Sequence, residues 1–375
     1  MSAPYIPDND QHIVKILEQW EFPATLLGAV RYGGGHINDT FCVVCQPKGG
    51  DAVRFILQGI STLAFPEPEK LMENFVGITT YMRKKIIEQG GDPDREALCL
   101  VKTRDGRDYY KDETGKVWRM TKFVENTDCF QNATPELFEA SARAFGRCQR
   151  MMEGYPVETL HETIARFHDT ENRLNNLNKA VEADPLGRVK DCLPEIEFYR
   201  ARKADCSVCL DLQRAGKLPL RVTNNDAKLD NILFDRYTHE GICMLDLDTT
   251  MPGLSINDFG DSIRFGANHC AEDEADLSKV NLDMDLYEVY TRGYLEGTDG
   301  CLTETELDCM PWGAKLMTME TGMRFLTDYI EGDVYYHTDY AGQNLLRTRT
   351  QIKLIQDMEA HWQEMHDIVW KYAKK

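Results

Sequence analysis

No uncharged apolar stretch in these 375 residues approaches the ~20 that a bilayer-spanning helix needs. The opening Met1-Ser2-Ala3-Pro4-Tyr5-Ile6-Pro7-Asp8 has no basic region followed by an apolar core, so it does not read as a secretory signal. Positive charge is scarce too: 43 Lys and Arg stand against 62 Asp and Glu, for a net charge of −19. A chain this acidic has no basic footprint for nucleic acid or an anionic membrane surface. An anionic ligand would have to be held by local amides, a few cations and a metal ion rather than by the field of the whole molecule. There is no internal repeat, no low-complexity linker and no HExxH metal motif. His161 and His168 lie seven apart, read here as one helical face with structural roles.

Cysteine is not scarce. The twelve cysteines, without a secretory signal, are expected to be reduced thiols in a cytoplasmic protein. Cys42/Cys45 and Cys206/Cys209 have the CxxC spacing of zinc ligands. The first pair falls in a strand-like run, where residues three apart face opposite ways, and the second lies in a helical stretch far downstream. Buried ordinary thiols are the expected role of both. Apolar content of 42% and aromatic content of 10% are those of a soluble globular chain, long enough for one large domain or two ordinary ones.

The first third reads as β-rich. After a helical pattern over residues 11–21 come strand-like segments at 24–30, 40–46 and 52–58, then a helix over 67–89, then strands at 98–103 and 117–124. Gly33-Gly34-Gly35 lies between the first two strands, where glycines let backbone amides approach and cradle phosphates. Glu73 on the helix is a candidate partner for a nucleotide-binding cation, or a solvated surface glutamate. Phe123-Val124-Glu125-Asn126 reads as a hinge whose backbone could hydrogen-bond adenine, placing a boundary between residues 1–125 and 126–375. Beyond it the chain is mostly helical: 134–152, opened by Thr134-Pro135; 194–215; a capping box at Thr303-Glu304-Thr305-Glu306, starting a helix that precedes a long one through Met319 and Tyr329; and 350–372.

The chemistry centres on Asn224-Asn225-Asp226-Ala227-Lys228-Leu229-Asp230-Asn231, followed by the apolar Ile242-Cys243-Met244-Leu245 and then Asp246-Leu247-Asp248. A D-x-x-x-x-N loop followed by an apolar strand ending in Asp is how a kinase positions a base and two metal ligands. On that reading Asp226 accepts the proton of an acceptor hydroxyl, while Asn231 and Asp246 hold Mg²⁺ on ATP. The plainer alternative is a polar hairpin loop with a helix cap. Asp248 either shares the metal or bonds structurally. Asp258-Phe259-Gly260 resembles a kinase metal tripeptide but lacks the preceding apolar strand, so Asp258 or Asp261 is expected to cap a helix, with one of them facing the acceptor. Arg324, inside an apolar helix, is expected to form a structural salt bridge or to face a ligand.

These loops and the small β-rich region resemble the aminoglycoside phosphotransferase superfamily, which has the protein-kinase-like, two-lobe α+β fold. Further stretches are similar to N-acetylhexosamine 1-kinases: Tyr32-Gly33-x-Gly35-His36-Ile37-Asn38, Asp258-Phe259-Gly260-Asp261-Ser262-Ile263-Arg264-Phe265 and Met319-Glu320-x-Gly322-Met323-Arg324-Phe325-Leu326 among them. The resemblance implies transfer of the ATP γ-phosphoryl to the anomeric hydroxyl of N-acetylglucosamine or N-acetylgalactosamine. It makes Asp226 the base, makes Arg324 and Tyr335 sugar contacts, and puts His36 and Phe265 beside the sugar pocket. Two departures stand out. The usual histidine two residues before the catalytic Asp is Asn224, and the usual third-strand lysine is Gln58; Lys228 is a candidate source of cationic help at the γ-phosphoryl. A kinase of another small hydroxyl compound, such as an aminoglycoside or amino alcohol, and a nucleotide-binding protein without catalysis remain as alternatives.

Overall fold

The computed structural model describes residues 5–6, 10–33, 37–132 and 134–373. Its N-terminal part is a five-stranded antiparallel sheet in the order β1-β2-β3-β5-β4, formed by β1 (Thr25–Arg31), β2 (Asp39–Gln46), β3 (Val53–Gly59), β4 (Tyr110–Lys111) and β5 (Val117–Lys122). Strand alternation sends Phe41, Val43 and Cys45 of β2, Phe55 and Leu57 of β3, and Trp118 and Met120 of β5 to one face. There they pack with Ile13, Ile16 and Leu17 of helix α1 (Gln11–Leu17) and with Trp20. Cys42 is buried outside this cluster, so the pair three apart is divided as strand geometry requires, and all twelve cysteines are free. Helix α2 (Pro68–Glu88) turns Leu71, Phe75, Ile78, Met82 and Ile86 into the larger core, which continues through the C-terminal part.

That part is helical, as expected of a kinase-like α+β fold. After the short α3 (Pro93–Glu96) and the two-residue β6 (Thr127–Asp128) come α4 (Pro135–Met151), α5 (Thr170–Ala183), α6 (Leu193–Ala201), α7 (Val208–Arg214), α8 (Ser255–Gly266), α9 (Met284–Thr298), α10 (Glu304–Glu331), α11 (Gln343–Ala360) and α12 (Trp362–Ala373). Between α7 and α8 lie β7 (Arg221–Thr223), β8 (Ile232–Asp235), β9 (Gly241–Met244) and β10 (Met251–Gly253), with β7 antiparallel to β10 and β8 to β9. No helix among the described residues is long and apolar enough to cross a membrane.

Several sequence expectations are corrected. Residues 98–103 are not a strand: they run beside β5 with the single bridge Leu100–Thr121, then Thr103 turns the chain through bonds to Asp105 and Arg107. The helix expected over 194–215 is α6 and α7, separated at residues 202–207. The two helices expected after the capping box are one, α10, with Pro311 inside it, and the C-terminal helix breaks at His361. The stretch around His161 and His168 is irregular, not helical. Thr303 and Glu306 do form the capping box, and Glu306 is fully buried because it also takes a bidentate ion pair from Arg221 at 2.5 and 2.7 Å. Strand β7, which leads into the loop from Asn224 to Asn231, is thereby anchored to the N-terminus of α10.

Helices α8 and α10 approach closely enough that only glycine fits between them. A Cβ on Gly260 would lie 2.2 Å from the Gly313 carbonyl oxygen, which is backbone and cannot step aside. Gly260→Ala should therefore cost about 1–3 kcal/mol in urea unfolding; an unchanged midpoint would show that the helices can separate freely.

Candidate active site

The catalytic-loop candidate leaves β7 at Asn224 and enters β8 after a 3₁₀ turn at Leu229–Asn231; the Asp246 loop joins β9 to β10. Because β7 pairs with β10 and β8 with β9, the two loops emerge at one edge, and hydrogen bonds cross between them. Asn224 Nδ2 donates to the Asp246 carbonyl at 2.6 Å, Thr249 Oγ1 to the Asn224 carbonyl at 2.7 Å, and Asn225 Nδ2 to the Thr249 carbonyl at 3.0 Å. Asn224, at the place of the superfamily's histidine, thus ties the Asp226 loop to the Asp246 loop.

Asp226 is held on both carboxylate oxygens. Lys228 Nζ lies 2.6 Å from Oδ1, and Asn231 Nδ2 donates to Oδ2 at 3.1 Å and to the Asp226 carbonyl at 2.7 Å. Burial works against the Lys228 ammonium, but the charge and hydrogen bond of Asp226 outweigh it and raise its pKa above the ordinary lysine value. Both partners of the Asn231 amide nitrogen can only accept, so its amide oxygen faces away from Asp226 and is left for a cation. The neighbouring carboxylate is that of Asp246, of which one oxygen accepts the Asp248 amide at 3.0 Å while the other has no partner among the described residues. Burial, then the charge of Asp248, push the Asp246 carboxyl above the usual carboxylate range. A bound dication would relieve that crowding. The donors are hard oxygens, which suits Mg²⁺. No group of three or more His, Cys, Asp or Glu that could hold a metal occurs among the described residues, so further ligands would come from phosphate and water, as is usual for this ion.

Asp258 is neither a metal ligand nor a helix cap. It lies within the first turn of α8, buried, and its two oxygens accept the backbone amides of Asn224 and Asn225 at 2.9 and 2.7 Å. Burial pushes its pKa up to about 6 against those bonds. Asn225 has φ of 63°, the left-handed region, so Asp258 pins the loop where its backbone is strained. Asp261 does not cap α8 either: its carboxylate pairs with Arg264 at 3.1 Å.

His168, read as structural from sequence, supports the loop from the other side. Nε2 lies 3.2 Å from the Asn225 carbonyl and Nδ1 3.0 Å from Glu320. Both partners are acceptors; burial works against the charged ring, but the hydrogen bond and charge of Glu320 outweigh it and raise the His168 pKa above the ordinary histidine value. The expected kinase-like role of Glu73 is not observed: Glu73 is exposed and 2.6 Å from His161. Asp248 is buried and bonded to Arg119 and Asn38, not free for a metal.

A cleft of about 500 Å³ opens beside the loop that follows Asp226, lined by Lys228, Ser262, Arg264, Phe265 and Glu272 among others. Phe265 is half exposed there. Arg324 and Tyr335 meet each other instead, Arg324 Nη2 lying 3.3 Å from the Tyr335 hydroxyl. The salt bridge expected as one role for Arg324 is absent among the described residues. Its guanidinium lies over Tyr336, 5.3 Å from the ring centroid, and Arg324 and Arg264 both bear on the Tyr336 hydroxyl, whose pKa burial pushes up to about 12. Buried Asp328 fixes the loop by accepting the amides of Val334, Tyr335 and Tyr336 at 2.8–3.0 Å. In the nucleotide region, Gly33 has φ of 81°, a left-handed turn open to glycine; Gly34, Gly35 and His36 lie outside the described residues. At the hinge the Phe123 amide is taken by the Arg54 carbonyl at 3.1 Å, and the Glu125 carbonyl accepts Arg95 at 2.9 Å. The Phe123 carbonyl and Glu125 amide enter no such bond among the described residues.

Solved structures share this architecture at low identity. An aminoglycoside phosphotransferase from Alicyclobacillus acidocaldarius is 11% identical with a TM-score of 0.60, over 99% of this chain and 98% of its own. Amicoumacin kinase hAmiN, in complex with AMP-PNP, Ca²⁺ and Ami, is 14% identical at 0.57, over 92% and 93%. A microcompartment-associated aminopropanol kinase is 14% identical at 0.55, over 95% and 99%. Residues 31–300 match the profile of the phosphotransferase enzyme family (APH), so the chain belongs to that family.

Proposed function

We propose that the protein transfers the γ-phosphoryl group of ATP to the anomeric hydroxyl of N-acetylglucosamine or N-acetylgalactosamine, giving the N-acetylhexosamine 1-phosphate, in a cytoplasmic setting. ATP lies between residues 1–125 and 126–375, its adenine on the Phe123 carbonyl and Glu125 amide and its phosphates under the loop of Gly33, Gly34 and Gly35. Asn231 and Asp246 hold Mg²⁺, which when bound neutralises the phosphate oxygens and orients them for in-line transfer. Asp226 accepts the hydroxyl proton as the sugar oxygen bonds to phosphorus and the bond to ADP breaks. Lys228 leaves its pairing with Asp226 to meet the developing charge on the transferred group. The sugar rests near Asp261 and Phe265, with Arg324 and Tyr335 as further sugar contacts and His36 assigned to the same pocket.

The observation that carries the choice of a neutral acceptor is the charge pairing around the cleft. Arg264 takes both Asp261 and Glu272, at 3.1 and 3.3 Å, and His168 and Thr170 take Glu320 at 3.0 and 2.6 Å. Among the described residues, Asp261, Glu272 and Glu320 are thus already engaged by cations or hydroxyls, which disfavours an ammonium substrate, whereas a hydroxyl-rich sugar needs no free carboxylate. A panel of N-acetylhexosamines, choline, ethanolamine, aminopropanol and an aminoglycoside, each supplied with Mg²⁺ and ATP, tests this by ADP release. The expected result is turnover on the N-acetylhexosamines alone; turnover on an amine and on no sugar would reassign the acceptor.

A further inference from the structure

Two opposite charges lie buried between the sheet and the Asp246 loop and take no part in the steps above. Arg119 on β5 places Nη1 2.5 Å from Asp248 Oδ1, each side chain being 1% exposed. Its Nε and Nη2 donate to Gln58 Oε1 at 3.1 and 2.9 Å, and its guanidinium lies 4.1 Å from the Phe75 ring centroid on α2. The other oxygen of Asp248 accepts Asn38 Nδ2 at 2.7 Å, and Asn38 Oδ1 accepts the Ser61 amide at 3.0 Å. The Asp248 amide in turn donates to Asp246. Desolvation offsets most of the Coulomb gain of such a pair, so stability is a poor reason for it.

Kinases place a lysine on the third strand, paired with a glutamate of the next helix. Here the third strand has Gln58, and Glu73 of α2 is occupied with His161. Gln58 and Arg119 are register partners across β3 and β5. The cation has moved one strand over, and its anion has moved to the metal loop. Resting on the phosphotransferase reading above, we propose that Arg119 is a positioning residue for Mg²⁺–ATP. Through Asp248 it fixes the loop that carries Asp246 and, through Asn38, the exit of the glycine loop, so that the phosphate-covering and metal-holding segments are set in register with each other.

Restoring a lysine at position 58 would then do harm. The substitution Gln58→Lys sets an ammonium against the Arg119 guanidinium and removes the amide oxygen that holds it. Asn38→Ala leaves the Arg119–Asp248 ion pair in place and cuts its tether to the glycine loop, together with the bond from the Ser61 amide. Calorimetric titration with a non-hydrolysable ATP analogue and Mg²⁺, with no acceptor present, measures both. Each variant should bind about tenfold or more weakly than the unsubstituted protein, measured below the melting midpoint of each so that the folded fraction is compared; a merely structural role would lower the midpoint and leave the affinity of the folded fraction alone. Gln58→Lys combined with Arg119→Met, which gives the new ammonium Asp248 as its partner, should regain part of the loss. Equal or tighter binding by Gln58→Lys, or unaltered binding by Asn38→Ala, would overturn the proposal. Failure of the unsubstituted protein to bind the analogue would instead overturn the phosphotransferase reading itself.

Discussion

Asp226→Asn should lower kcat by about 10³-fold while Mg²⁺–ATP affinity stays within about twofold, because the change removes a proton acceptor and little else. The asparagine keeps an oxygen to accept from Asn231 Nδ2, the bond now made at 3.1 Å, so the loop keeps its shape. It loses the charge that holds Lys228 at 2.6 Å, and that lysine is freed for the phosphates, which offsets any loss of nucleotide affinity. Most of the remaining rate would come from orientation and charge stabilisation, which this fold supplies through other groups. Steady-state rates together with nucleotide titration separate the two quantities. Unchanged turnover would remove Asp226 from the role of base; a parallel collapse of ATP binding would make it a metal ligand.

Asp258→Ala should be as damaging, for a different reason. Two buried amides, those of Asn224 and Asn225, lose their acceptor. Each unsatisfied amide costs about 1–3 kcal/mol, so unfolding free energy should fall by roughly 2–6 kcal/mol. The strained Asn225, with φ of 63°, would also be free to relax. Since Asp226 is the next residue, the base would move; a misplacement of about 1 Å costs on the order of 10² in rate. Asp258→Asn keeps one accepting oxygen and should fall between the two. Urea unfolding and the rate per folded molecule test the pair. Normal kcat in a destabilised Asp258→Ala protein would show that the loop holds its geometry without the carboxylate.

Local patterns made part of this molecule legible in its sequence. Alternating apolar residues located β1, β2, β3 and β5, and the 3.6-residue spacing of Leu71, Phe75, Ile78 and Met82 located α2. The run from Asp226 to Asn231 and the apolar strand ending at Asp246 placed two polar loops in order, and the structure brings them to one edge. Pattern reading failed where breaks have no punctuation, as at residues 202–207 and His361, where neither Pro nor Gly stands. It also failed where a role depends on a partner far along the chain. His168 and Glu320 are 152 residues apart, and Asn38 and Asp248 are 210 apart, distances no window covers. Asp258 illustrates the same limit: its tripeptide resembled a metal site, yet its partners are two backbone amides, which no side-chain motif encodes. One usable signal was overlooked. Arg119 lies among the apolar residues of a central strand, and a charge there requires a buried partner.

Asp226 is proposed to direct phosphoryl transfer to the anomeric oxygen of a neutral N-acetylhexosamine. Phosphorus NMR of the product formed from ATP, Mg²⁺ and each N-acetylhexosamine tests it most directly. One new sugar phosphate is expected, its phosphorus coupled to the anomeric proton, absent when Asp226→Asn replaces the unsubstituted enzyme over the same interval. Phosphate on any other hydroxyl, or no sugar phosphate while an amine-bearing acceptor is phosphorylated, would contradict it.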